Sequence, residues 1–438
     1  MRLSRTTFTA QANGTQSHKP WYATRLSLNI AIKMKKLLKL FMVALIASAG
    51  VTVAQDAKID ALEKQLKAIQ EQMAQLQATG GMGQAAAKGL TFNFYGELKW
   101  INKNHGNDKF DPHRFVLMPK YEISDNARFV SEIEIEHGGN EQHEWDNTNS
   151  RNTGTRLDGY TALEQFYLEW DINDYFKPRA GINLIPVGTI NQDHEPNLFY
   201  SVHRPIMYKY IIPTTWMEMG FGTYGDIAEG LDYALFLSSG LTKDQNPHKM
   251  TDGNLGPRNH RPSLREDDGN DSLAVSAKLR YRAGGFDGSI STYQTSMEGT
   301  GGDSDMALYD IEGSYRFSEG ALAGVEVIAD YAWWDISDPA KLVGGTLGTQ
   351  TGDKMDGYRL ELAYHMDHGN NTIVPFFRAE GYSLESGPSG SHQNYLTYGA
   401  MYAFGKGADQ KWEIKVAMRQ SLDDDQSSDF SIGVGMQF

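Results

Sequence analysis

Val275-Ser276-Ala277-Lys278-Leu279-Arg280-Tyr281-Arg282 changes chemistry at every step: Val275, Ala277, Leu279 and Tyr281 are apolar, while Ser276, Lys278, Arg280 and Arg282 are polar or charged. A period of two belongs to a β-strand, whose successive side chains point to opposite faces. The pattern recurs in Phe92, Phe94, Gly96 and Leu98 against Asn93, Tyr95, Glu97 and Lys99, and in Ile133 and Ile135 against Glu132, Glu134 and Glu136. It recurs again in Tyr358, Leu360, Leu362 and Tyr364 against Arg359, Glu361 and His365. A soluble sandwich would bury the apolar face against a second sheet. An exported barrel turns that face to lipid and lines water with the charged one.

From Leu90 to Phe438 about sixteen such segments can be read, beginning near residues 90, 113, 127, 160, 175, 215, 231, 272, 286, 306, 321, 354, 372, 393, 411 and 427. The connections separate the two architectures. Those at one end are tight, as at Ile123 to Asn126, Ala283 to Gly285 and Asp367 to Asn371. Those at the other end are long, as at Gly138 to Gly159, Pro186 to Thr214 and Leu241 to Asp271. Sorting of loop length by end, with an even strand count, predicts a closed antiparallel transmembrane β-barrel of about 16 strands with short periplasmic turns and long external loops. The last strand carries Phe430, Ile432, Val434, Met436 and Phe438 on the lipid side and ends on an aromatic ring. Tyr160, Trp170, Tyr315, Tyr331, Trp333 and Trp412 fall near strand ends, where interfacial girdles belong.

Upstream of residue 90 the period changes. Met34-Lys35-Lys36-Leu37-Leu38-Lys39, the apolar run Leu40 to Ala49 and Thr52-Val53-Ala54 read as a signal peptide over 34–54. Residues 1–33 read as an over-extended N-terminus. Ile59, Leu62, Leu66, Ile69, Met73 and Leu76 alternate steps of three and four, which are the a and d positions of a coiled-coil helix over 55–78. A helix this short is marginal alone, so it predicts self-association. Residues 79–89, rich in Gly and Ala, form a linker to the barrel at 90–438.

Composition narrows the function. The 438-residue chain carries 41 Lys+Arg against 55 Asp+Glu, a formal charge of −14. Eight of those basic side chains lie in residues 1–54, which contain no acid, so the exported part is more acidic still. Such a balance excludes nucleic acid as a partner, because phosphate neutralisation dominates that affinity. The absence of cysteine excludes disulfide frameworks and thiolate sites. A mean hydropathy of −0.49, with no long apolar run, excludes a helical membrane protein. No Ser or Asp nucleophile has an oriented His, so no enzyme is expected. His105, His113, His137 and His143 read as solvated loop residues, and neither a metal site nor a cofactor is expected.

The third long connection, Pro186 to Thr214, is rich in proline and apolar side chains, unlike the hydrophilic loops 138–159 and 241–271. It should fold inward and narrow the pore. With Arg179-Ala180-Gly181, Asn191-Gln192-Asp193-His194-Glu195-Pro196, Arg204-Pro205 and Ile211-Ile212-Pro213-Thr214-Thr215-Trp216, the chain over 55–438 resembles the phosphate-selective porin O and P family. That resemblance implies a trimeric passive channel whose phosphate selectivity rests on clustered lysines. This loop offers Arg204 and Lys209 beside Asp193, Glu195 and His203 instead.

Alternation puts Lys177, Arg179, Lys278, Arg280, Arg282, Arg359, Arg378, Lys415 and Arg419 on the pore face, together with Glu132, Glu134 and Glu136. Facing charges of both signs suit water and polar solutes. The expected function is an outer-membrane porin of a Gram-negative bacterium, passing small inorganic or organic ions with weak anion preference and working as a homotrimer. The acids of the outer loops are suited to bridging divalent cations to lipopolysaccharide phosphates. The alternative is a structural or surface-interaction barrel anchored through its periplasmic coiled coil.

Overall fold

The computed structural model describes residues 89–140, 158–242, 257–261, 272–299, 301–342, 353–384, 392–405, 412–423 and 428–438. The expected N-terminal extension, signal peptide and coiled-coil helix, and the linker as far as residue 88, lie outside the described residues.

β1 (Leu90–Lys103), β2 (Lys109–Ser124), β3 (Ala127–Asn140) and β4 (Asp158–Trp170) pair in succession. β5 (Lys177–Leu184) and β6 (Met217–Ala228) flank the third long connection and also pair with each other. β7 (Leu231–Ser239), β8 (Leu273–Ala283), β9 (Phe286–Gly299), β10 (Gly302–Arg316) and β11 (Val325–Ile336) continue the meander. β12 (Lys354–Tyr364) and β13 (Met366–His368) are two pieces of one strand, both paired to β14 (Asn371–Ser383). β15 (His392–Phe404), β16 (Trp412–Ser421) and β17 (Asp429–Gln437) complete it. β17 pairs antiparallel with β1, from Tyr95↔Gln437 to Lys103↔Asp429, and the sheet closes as a barrel of sixteen strands.

Closure is what lets strands cross a bilayer, since it leaves no unpaired edge in hydrocarbon. Phe92, Leu98, Phe221, Ile290, Ile311 and Leu360 stand exposed on the outer face. Phe221 is 69% exposed, whereas inward Tyr95 is fully covered. Rings stack along the rims of this belt, Tyr309 on Trp333 at 5.3 Å at one end and Phe94 on Phe438 at 5.0 Å at the other. The turns there are tight. Gly284 and Gly285 take φ of 57° and 91° between β8 and β9, the left-handed pair that a two-residue hairpin needs.

Two strands run further toward the mouth than their apolar alternation suggests: β2 begins at Lys109 instead of near 113, and β10 at Gly302 instead of near 306. Ladder hydrogen bonds persist above the lipid belt, where the outward side chains need not be apolar.

Candidate functional site

The third connection, residues 185–216, lies inside the barrel. Its apolar side chains explain that position. Ile185, Val187, Ile190, Met207, Tyr208, Ile211, Ile212 and Trp216 share one buried cluster with Phe236, Tyr293, Leu308, Trp334 and Met355 of the wall from β7 to β12. Trp216 packs on Tyr293 at 4.4 Å, and the Trp334 indole N–H donates to the Ile211 carbonyl at 2.9 Å. Inward glycines let the backbone approach. A side chain at Gly357 would meet Met207 and Ile211, and one at Gly433 would meet Val202. Arg258 and Arg261, from the following connection, donate to the Thr214 carbonyl at 2.6 Å and the Pro213 carbonyl at 3.1 Å.

The polar contacts of the loop reach every side of the lumen. Gly188 N–H donates to Ser291 on β9 at 3.3 Å, and Thr189 N–H to Glu312 on β10 at 2.9 Å. Asn197 donates to Gln437 on β17, and Lys415 on β16 donates to the Pro196 carbonyl. Tyr200 donates to Glu326 on β11 at 2.7 Å, and Ile206 N–H to Glu380 on β14 at 2.7 Å. A cavity of about 130 Å³ remains beneath the loop, between Phe199, Tyr200 and the carboxylates Asp287, Glu326 and Glu361.

The loop residues singled out from sequence divide into held and open groups. Asp193 accepts from Arg280 at 3.3 Å. Arg204 donates to the His194 carbonyl at 3.0 Å and to Thr215 at 3.4 Å, and burial, then Arg114, brings its pKa down to about 10. Glu195 is half-buried, and burial raises its pKa. His203 meets Asp429 at 3.1 Å, and burial, then Arg419, lowers its pKa to about 4, which keeps the imidazole neutral. Lys209 is exposed, with its ammonium 5.2 Å over the Tyr210 ring.

Each lining cation meets a carboxylate. Lys278 meets Glu312 at 3.1 Å, Arg280 meets Asp287 at 2.6 Å, and Arg282 meets Asp232 at 2.6 Å. Arg359 meets Asp330 at 2.6 Å, Arg378 meets Glu380 at 3.0 Å, Arg419 meets Asp429 at 2.6 Å and Lys415 meets Glu413 at 3.9 Å. Lys177 lies 3.6 Å from Asp226, and Arg179 and Arg128 share Glu169. Glu136 lies 4.0 Å from His137, and Glu134 lies 3.7 Å from Arg114.

Alternation did not single out Arg114, which is buried on β2 between Glu97 and Glu134. Nor did it find Glu164. The β3–β4 register slips between Glu132↔Gln165 and Ile133↔Leu163, so Glu164 is the extra residue of a bulge and turns inward. The signal for it is a phase change: Leu163 sits on odd numbering, then Phe166, Leu168 and Trp170 on even. Glu164 and Glu132 converge on the imidazole of His194, whose Nε2 lies 3.5 Å and 3.4 Å from their oxygens. Burial disfavours the charged imidazole, but Glu132 and then Glu164 hold its pKa up to about 10.

The solvated-loop reading of His113 and His137 is corrected here. Both lie in strands, β2 and β3, with Nδ1 atoms 3.3 Å and 2.5 Å from the buried carboxylate of Asp111. His137 takes φ of 48° ahead of Gly138 and Gly139, also at positive φ, and this kink brings its ring over to β2.

No family model matches the chain. An uncharacterized protein of Aquifex aeolicus (strain VF5) is 30% identical over 355 residues, covering 74% of this chain and 76% of that protein. Among solved structures, Salmonella typhi OmpF in complex with daunomycin superposes with a TM-score of 0.53 at 12% identity, over 80% of this chain and 97% of that one. A loop L8 deletion mutant of OmpT, an outer membrane protein of Vibrio cholerae, superposes with a TM-score of 0.51 at 8% identity, over 80% and 99%. The trimer form of OmpT gives 0.50 at 8% identity, over 80% and 99%. The fold is that of outer-membrane β-barrels.

Proposed function

We propose that this chain, which belongs to the same protein family as the Aquifex aeolicus protein, is an outer-membrane porin: a passive diffusion channel for small hydrophilic solutes with a weak preference for anions. The carrying observation is a closed barrel with an apolar outer belt, charged inner walls and a long connection folded inside. Charged walls pass water and ions and turn away apolar solutes. The preference is weak because the lining cations expected from the sequence all lie against carboxylates, some of them shared. It leans toward anions because the partly exposed cations Arg128, Arg179 and Lys209 sit where a solute can reach them. Guanidinium groups present planar forks of donors to an anion. The loop lacks a lysine cluster, so we read the channel as general for small anions and not tuned to phosphate.

A homotrimer is the proposed assembly, supported by the heptads at 55–78. Purified protein in planar bilayers should give stepwise conductance and a small reversal potential of anion sign in a salt gradient. Protein that inserts and never conducts would sink the reading. One observation favours the alternative of a structural or surface-interaction barrel: the loop is tied to walls all round the lumen. The same bilayer measurement separates the two.

A further inference from the structure

Among the described residues, two groups of carboxylate and imidazole donors come together within 4.8 Å: Asp111 with His113 and His137, and Glu132 with Glu164 and His194. The first is explained without any ion. Both oxygens of Asp111 are taken, one by His137 at 2.5 Å, the other by His113 at 3.3 Å and Lys109 at 3.1 Å. The second group is different. Both ring nitrogens of His194 and Oε2 of Glu164 are buried and make no hydrogen bond. His194, Glu132 and Glu164 are each at most 2% exposed. Buried polar atoms are normally satisfied, and each exception calls for a reason.

The spacing supplies one. Nε2 of His194 stands 3.4 Å from Glu132 Oε1 and 3.5 Å from Glu164 Oε2. One N–H shared between two oxygens at these distances is a weak contact, and neither distance is that of a strong charge-assisted hydrogen bond. Ligands about 2.1 Å from a tetrahedral centre lie about 3.4 Å apart. The three donors also come from three separate segments, β3, the β4 bulge and the inward loop, as a site assembled by folding would. Glu132 is further fixed by Tyr95, which donates to Oε1 at 3.1 Å, and by Gln165 on its other oxygen. Such outer contacts orient metal ligands.

We propose that Glu132, Glu164 and His194 form a binding site for one divalent transition-metal ion of the zinc class, which fastens the inward loop to the wall between β3 and β4. Two carboxylates and one imidazole are a donor set suited to such an ion, with a fourth position left for water. Arg114 and Arg204, whose guanidinium groups donate to the His194 carbonyl at 3.4 Å and 3.0 Å, also hold the ligand-bearing turn.

The test uses the full barrel in detergent, stripped with a chelator and titrated with zinc chloride against a chromophoric competitor. We expect one ion per chain, binding at least tenfold weaker in Glu164→Gln, and binding unchanged in His137→Ala, which disables only the cluster at the mouth. Zinc binding equal in wild type and Glu164→Gln, or lost in His137→Ala, would overturn the assignment. Should the glutamine variant fail to fold, cobalt(II) added to the wild type decides: a strong visible absorption band of four-coordinate cobalt supports the site, and its absence at saturation overturns it.

Discussion

Two arginine clusters line the same barrel with opposite consequences. Near the tight turns, Arg128 and Arg179 share Glu169, with side chains 26% and 30% exposed. Arg179 lies over the rings of Tyr224 at 4.1 Å and Tyr167 at 4.7 Å. Across the lumen, Arg359 and Arg378 share Glu361, 3.4 Å and 3.9 Å away, with side chains 7% and 0% exposed. Sequence alone reads Arg179, Arg359 and Arg378 alike, as inward cations on a charged face. The inward loop separates them. It covers the second cluster, where Arg378 donates to the His203 carbonyl at 3.2 Å, and leaves the first facing water. Charge that water reaches can act on a solute, while charge sealed under a loop holds walls together.

That contrast is most exposed to refutation at Arg378. Arg378→Ala leaves Glu380 buried without its cation and Glu361 with Arg359 alone, which should cost about 3–5 kcal/mol. The unfolding midpoint in denaturant should fall, while the reversal potential of surviving channels stays put. A selectivity change with unaltered stability would reverse the assignment of roles.

Acid supplies the next lever. His203 is faced by Asp429, Arg419 and Lys99, and its pKa in the docked loop is about 4, below its ordinary value near 6.5. A released imidazole therefore binds a proton that the docked one refuses. Docking is at full strength above about pH 6.5 and weakens below it, by up to about 1.4 kcal/mol per pH unit until pH 4. The opening constant of the loop, taken as amide exchange divided by the intrinsic rate at each pH, should rise as the pH falls through that window in the wild type and lose this component in His203→Gln. An opening constant that falls as the pH falls would contradict the sign.

Smaller effects follow at single hydroxyl groups. Tyr208 donates to Glu312 at 2.8 Å in the buried interior, so Tyr208→Phe should cost about 1–3 kcal/mol and raise open-channel noise. The smallest stability change belongs to the open cluster. Arg179→Ala should alter stability by less than about 1 kcal/mol and move the reversal potential a few millivolts toward cations. No shift there would remove Arg179 from the permeation path.

The strands were legible because lipid on one side and water on the other force a period of two on every segment, and the tight turns carry their own glycines. Register was less so. Alternation reports a face and never a partner, so it could not tell that Arg280 answers Asp287 or that Arg378 lies beneath the loop. It also fails wherever the ladder slips. Glu164 was hidden by a bulge in β4, and Asp111, His113 and Arg114 by a register shift between β1 and β2 after Glu97↔Arg114. The third loop announced its inward course through its own apolar content, since Ile211, Ile212 and Trp216 have no place in solvent. Its anchors on β9, β14 and β17 lie more than 100 residues away in the chain, and no local pattern encodes them.

Those anchors have a mechanical side. A hollow cylinder of sixteen strands resists squeezing only through the bending stiffness of its wall. Here the inward loop is fixed at one point to β9, at others to β14 and β17, and springs from β5 and β6, so it acts as a strut across the bore. Lateral pressure that would flatten the circle must compress that strut or tear its ends loose. The cross-section should therefore hold its shape in bilayers of differing tension, and cutting the strut at its β14 end would let the cylinder become oval.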